Sequence, residues 1–133
     1  MGLNIRVIAP DGPIWDTTTD EVVLPSLTGQ LGILQGHASL ITALEIGILR
    51  IKTNSNWKPI IVLGGFAVIR DNQVIVLISG VEEVLKDGYD EAKQFLDQSM
   101  KDLESATTVK EKIEASQDVK RASSRVQAYQ FLK

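Results

Sequence analysis

The sequence predicts a β + α fold: an N-terminal β-sandwich or flattened barrel over residues 1–86, then a C-terminal antiparallel two-helix hairpin over residues 87–133. Three observations predict it. Up to about residue 85 the chain is a series of short β-branched runs separated by turn residues. From Tyr89 onward Ala, Lys, Glu, Gln and Leu dominate, a composition that favours helix. After Gly88 there is no Gly or Pro, so nothing punctuates the second half internally.

In the head, Leu3–Ile8 alternates apolar and polar residues until Pro10-Asp11-Gly12-Pro13 breaks the pattern as a turn. Further strands are expected at Glu21–Leu24, Gln30–Leu34, Leu40–Leu44, Ile46–Lys52, Trp57–Leu63, Phe66–Arg70 and Gln73–Ser79. Leu49 and Ile51 alternate with Arg50 and Lys52, the signature of a sheet with one buried face. Asp71-Asn72 lies between two β-branched runs and reads as a two-residue hairpin connection, because Asp and Asn tolerate positive φ.

In the tail, Ala92, Leu96, Ser99, Leu103 and Ala106 fall on one helical stripe. Val109, Ile113, Ser116, Ala122, Val126 and Tyr129 form a second. Thr107-Thr108 separates them, with Thr108 as N-cap and Glu111 three residues on completing a capping box. Both stripes are thin and rich in Ala and Ser, so they bury little area at about 25 cal/mol per Å². A hairpin held so lightly is expected to be able to leave the head. Its charge is uneven: after Asp118 only bases follow, namely Lys120, Arg121, Arg125 and Lys133. These complement the helix dipole, or they form a docking face for an acidic partner. Arg121 and Arg125, at i and i+4, share one side of the helix and suit bidentate carboxylate recognition.

Bulk properties exclude several functions. Net charge is −3 over 133 residues, which gives no general attraction to nucleic acid or anionic lipid. There are no cysteines, hence no disulfide scaffold, thiolate metal site or cysteine nucleophile. The longest apolar run, Pro59 to Ile69, is 11 residues against the roughly 20 that a spanning helix needs. The N-terminal residues already alternate like a strand and carry no targeting signal. The single histidine, His37, has no partner for a metal site or a nucleophile relay in local sequence and reads as a loop imidazole bonded to backbone. Glu82 and Glu83 are adjacent in an expected linker and read as solvated charge. Gly29, Gly32 and Gly36 form neither a dinucleotide-binding turn nor a P-loop. No constellation supports catalysis, and no cofactor is expected.

The stretch from Thr28 to Ile51, TGQLGILQGHASLITALEIGILRI, followed by LGGFAVI at 63–69 and a two-helix tail, resembles the ε subunits of F-type ATP synthases across essentially the whole chain. LNIRVIAP near the start, Ile14-Trp15-Asp16 and IGILRI at 46–51 are similar to the chloroplast and cyanobacterial branch. The resemblance implies a ten-stranded antiparallel β-sandwich and a helical hairpin in a non-catalytic subunit of the central stalk. Its head would meet the γ subunit and the c-ring, passing c-ring rotation to γ. Its tail would reach the αβ catalytic hexamer and restrain ATP hydrolysis.

The location it implies is the stromal face of the thylakoid, peripheral through the complex only, or the cytoplasmic face of a cyanobacterial thylakoid or bacterial membrane. By position, Gln30 and Leu31 would face the c-ring and His37 the γ side, while Lys120, Arg121 and Arg125 would face a β subunit. Some relatives bind ATP through an I/L-D-x-x-R-A motif on the first tail helix. Here Tyr89-Asp90-Glu91-Ala92-Lys93-Gln94 keeps Asp90 but has Lys93 for the arginine, which lacks its planar fork, so a weak or absent nucleotide contact at Asp90 and Lys93 is expected. The competing reading is a free β-sandwich ligand-binding module with a helical dimerisation tail, which the scarcity of aromatic residues disfavours.

Overall fold

The computed structural model describes residues 2–84 and 87–131. The expected head–tail boundary at 86/87 touches residues outside that range, and Lys133 of the basic tail end lies outside it too. The head contains β1 (Leu3–Ala9), β2 (Gly12–Thr19), β3 (Glu21–Ser26), β4 (Gly29–Leu34), β5 (Leu40–Thr53), β6 (Asn56–Arg70), β7 (Gln73–Ile78) and β8 (Val81–Glu82). They hydrogen-bond in the order β2-β1-β7-β6-β5-β3-β4, with β8 on β6.

Eight strands therefore replace the ten that the resemblance implied. Leu40–Leu44 and Ile46–Lys52 are one strand, β5, and Trp57–Leu63 and Phe66–Arg70 are one strand, β6. The pair stays in register from Leu40↔Ile69 to Thr53↔Asn56 with a single skip at Glu45. Its two halves serve different layers. The Leu40 end continues through β7, β1 and β2; the Thr53 end continues through β3, β4 and β8. Gly64 and Gly65, at φ 91° and 148°, let β6 change layer without breaking its ladder. A Cβ on Gly65 would run into the Leu77 carbonyl oxygen and lie 2.8 Å from Ile78 Cα. The sheet is also not wholly antiparallel, since β1 runs parallel to β7 from Asn4↔Gln73 to Ile8↔Leu77. The layers enclose one core, in which Leu3, Ile5, Val74 and Val76 meet Leu24, Ile33, Leu49 and Val62.

Two hairpins turn on paired residues of positive φ, Asp71-Asn72 as expected and Asn54-Ser55 as well. The tail is α1 (Tyr89–Ser105) and α2 (Val109–Ala128), closed by a 3₁₀ turn at Tyr129–Phe131. The Thr108 hydroxyl accepts from the Glu111 N–H at 3.1 Å, and the Glu111 carboxylate accepts from the Thr107 N–H at 3.1 Å. The box thus closes one residue upstream of the expected N–H.

The buried face of α2 overlaps the expected stripe only in part, at Ala122, with Ser116, Val126 and Tyr129 half-buried. It consists of Ala115, Ala122, Ser124 and Ala128, whereas Val109 and Ile113 are exposed. Small side chains let α2 lie close on β5 and β6, which it covers. The large apolar residues sit at the hairpin's far end, beyond the sheet.

Candidate functional site

Cross-strand partners share a sheet face, so the register sorts the outward residues of each layer. In the layer of β3, β4, β8 and the Thr53 half of β5, Ile48 pairs with Ile61 and Ile61 with Glu82. Ile60, Ile61 and Val62 are all buried in succession, which requires cover on both sides of β6. The inner side is the core; the outer side is α2. In the other layer the outward residues include Ile8, Ile41, Ala43, Phe66, Val68, Ile75 and Leu77, joined by the pairs Ile41↔Val68, Ala43↔Phe66, Phe66↔Leu77, Val68↔Ile75 and Ile8↔Leu77, with Arg6 beside Ile75 and paired to Asp16. Among the described residues Ile41 is 72% exposed, Phe66 58% and Leu77 47%, while Ile8, Val68 and Ile75 are half-buried. A solvated sheet face is normally polar, and a contiguous apolar one marks a docking surface.

His37 stands beside this surface. Its loop is pinned to the β6–β7 turn, where the Gly36 N–H donates to Asn72 Oδ1 at 2.6 Å. The His37 Nδ1–H donates to the Ala38 carbonyl at 2.7 Å, the backbone partner expected of a loop imidazole. Gln30 is exposed on β4 and its Oε1 accepts from Arg50 Nη2 at 3.1 Å. Arg50 in turn stacks on Trp57 at 5.0 Å and on Phe131 at 4.4 Å, so the end of the tail rests on the residue that holds Gln30. Leu31 points inward and packs against the core. Leu27, 61% exposed at the β3–β4 turn, is the apolar residue presented there instead.

The basic residues of α2 face the head. Lys120 pairs with Glu45 at 3.7 Å. Arg121 and Arg125 converge on Glu82. Arg121 donates from Nε at 3.0 Å and from Nη2 to Oε1, and Arg125 donates from Nε to Oε2 at 2.7 Å. Phe95 of α1 flanks both guanidiniums, 5.9 Å from Arg121 and 4.9 Å from Arg125. Asp118 lies 3.5 Å from Arg121. Glu82 is thus no solvated linker charge: its side chain is 14% exposed and sits on a strand. Burial alone would raise its carboxyl, but the hydrogen bonds from Arg125 and Arg121 and their positive charge prevail and hold it below its ordinary 4.5. Nothing local in the sequence signals this contact, because the partners are 39 and 43 residues apart.

Asp90 and Lys93 are both exposed on α1, Lys93 lying 5.9 Å over the Tyr89 ring. A cavity of about 120 Å³ nearby is lined instead by Ile61, Glu83, Gly88, Glu91, Arg125 and Tyr129, among others. Among the described residues there is no group of three or more His, Cys, Asp or Glu able to hold a metal ion, and no helix long and apolar enough to cross a membrane.

A family model described as "ATP synthase, Delta/Epsilon chain, beta-sandwich domain" matches residues 2–84. The chloroplastic ATP synthase epsilon chain of Pylaiella littoralis is 70% identical over 132 residues, covering 99% of this chain and 100% of that one. The chain belongs to the ATP synthase delta/epsilon family.

Other epsilon chains agree, including that of Phaeodactylum tricornutum, 52% identical over 99% of both chains. At low identity the fold persists. A chain of the Euglena gracilis mitochondrial ATP synthase, from an OSCP/F1/c-ring structure, has a TM-score of 0.84 at 16% identity, covering 97% of this chain and 81% of that one. A chain of the Tetrahymena thermophila central stalk and c-ring assembly has a TM-score of 0.66 at 15% identity, covering 96% of each. Membership along the whole length removes the free ligand-binding module. The two tryptophans do line one cleft, but cations stack on both rings: Lys58 on Trp15 at 5.3 Å, and Arg50 and Lys52 on Trp57.

Proposed function

We propose that this chain is the ε subunit of a proton-translocating F-type ATP synthase of chloroplast type, a non-catalytic rotor component. Its head binds the γ subunit and the c-ring and passes c-ring rotation to γ. The observation that carries this reading is the uncovered apolar face Ile8–Ile41–Phe66–Val68–Ile75–Leu77. The chain covers one outer sheet face with α2 and leaves the equivalent face of the other layer to a partner. We assign that face to γ, with His37 at its edge, and the exposed β3–β4 end bearing Gln30 and Leu27 to the polar loops of the c-ring. An amide at Gln30 supports a hydrogen bond there rather than an ion pair.

The tail is the inhibitory element. Lys120, Arg121 and Arg125 are its contacts for an acidic surface of a β subunit, which requires α2 to turn away from the head. The division into a head of residues 1–86 and a hairpin of 87–133 belongs to the same proposal. The chain then lies at the stromal face of the thylakoid through the complex; among the described residues no helix is long and apolar enough to cross a membrane. ATP binding is weak or absent, since both arginines that would grip phosphate already hold Glu82. Mixing the chain with γ and passing the mixture over gel filtration tests the reading. Co-elution is expected, and separate elution would overturn it.

A further inference from the structure

We infer that Glu82 is the resting occupant of the tail's arginine pair, so that tail release is an exchange of Glu82 for the carboxylates of the acidic partner. This rests on the reading of Arg121 and Arg125 as partner contacts. Four features support it. The geometry is saturated: Oε1 takes two donors from Arg121 and Oε2 one from Arg125, so both carboxylate oxygens are engaged. The same side of α2 that would grip an acidic surface is turned inward, and Phe95 closes over it from α1. Head, first helix and second helix therefore meet at this one carboxylate.

The rest of the tail interface is light. Ala115, Ala122, Ser124 and Ala128 are the buried residues of α2, and Ala92 and Ser99 those of α1. Such side chains bring little apolar area, so a bidentate, mostly desolvated ion pair supplies a large share of what holds α2 down. Exchange is also nearly balanced. A carboxylate leaves two guanidiniums and another carboxylate arrives, so neither arginine is stranded without a counter-charge in either state. A two-state element of this kind responds to a ligand only through differential affinity, and here both states use the same chemistry on the same side chains. Glu82 sets how much acidic surface the partner must offer before the tail moves. Lys120–Glu45, at 3.7 Å and half exposed, is a weaker copy of the same arrangement further along α2.

The test uses Glu82→Gln in the full chain, which keeps the side-chain shape and removes the charge. Amide hydrogen exchange should quicken about tenfold or more across α2, the scale of losing hydrogen bonds to a charged group, with β6 and β7 unchanged. Rates in α2 within twofold of the unmodified chain would overturn the inference. The triple swap Glu82→Arg, Arg121→Glu, Arg125→Glu should restore slow exchange in α2, and failure to restore it would also count against the pairing. In the assembled ATP synthase, Glu82→Gln should lower ATP hydrolysis severalfold, because the arginines are free to engage. The triple swap should not restrain hydrolysis. Faster α2 exchange with unaltered hydrolysis would uphold the clasp and overturn the acidic-partner reading.

Discussion

Phe66→Ala is the sharpest perturbation of the head's open face. The ring is 58% exposed. A phenylalanine side chain of roughly 200 Å² then leaves about 115 Å² for a partner to cover. At about 25 cal/mol per Å², full cover is worth about 3 kcal/mol, or 2–3 after the alanine Cβ is allowed for. That corresponds to a roughly 30- to 150-fold weaker Kd for γ. The chain's own stability should fall by only about 1 kcal/mol, because the ring is mostly solvated already. Titration calorimetry against γ reads the first quantity and urea unfolding the second. Val109→Ala is the matched control: Val109 is 74% exposed at the far end of the hairpin, and its loss should leave γ affinity unchanged. A Phe66→Ala chain that folds and binds γ within threefold of the original would refute the assignment of this face.

Leu77→Asp places a charge opposite Phe66 and should abolish co-elution with γ while leaving the sheet folded, as far-UV circular dichroism would report. Gly65→Ala should destabilise the head by about 3 kcal/mol or more, since its φ of 148° and the Leu77 carbonyl both oppose a Cβ; urea unfolding measures it. Truncation after Gly88, or Arg121→Glu with Arg125→Glu, should leave γ binding intact and raise hydrolysis by the assembled enzyme; unchanged hydrolysis in both would make the tail purely structural. Acid should loosen the tail. Glu82 has a lowered carboxyl, so its contribution is complete above its ordinary 4.5 and is lost as pH falls through the depressed value. Protection of α2 amides, taken relative to the intrinsic exchange rate at each pH, should therefore fall on the acid side of 4.5 in the original chain and show no such step in Glu82→Gln.

The Asp71-Asn72 hairpin and the Thr108 cap were legible because each is encoded within a few residues. β2 was not, since Trp15-Asp16-Thr17-Thr18 is a polar, half-exposed edge strand headed by Gly12-Pro13 with no apolar alternation to read. The continuity of β5 and β6 escaped for a different reason: Gly64-Gly65 reads as a bend between two strands, and only the cross-strand pairing shows one ladder running through it. The α2 stripe was legible in part: Ala122 is buried and Ser116, Val126 and Tyr129 half-buried, but hydropathy weights large residues and so includes the exposed Val109 and Ile113 and passes over the buried Ala115, Ser124 and Ala128.

The open face did leave a trace. Val74-Ile75-Val76-Leu77-Ile78 is apolar without alternation, which demands cover on both sides of the strand. The clasp left none, since a carboxylate read as linker charge meets its arginines only through tertiary packing.

The ionisation of Glu82 also constrains what can move the tail. Its carboxyl is held below the ordinary range, so the clasp stays fully charged at neutral and mildly alkaline pH. Competition for the two guanidiniums can displace it. A surface bearing two or more carboxylates at the spacing of one helical turn matches both arginines at once, whereas Glu82 must divide a single carboxylate between them. On the proposed reading of the tail, the conformational state of the catalytic hexamer, by presenting or withdrawing such a surface, is what would set its position.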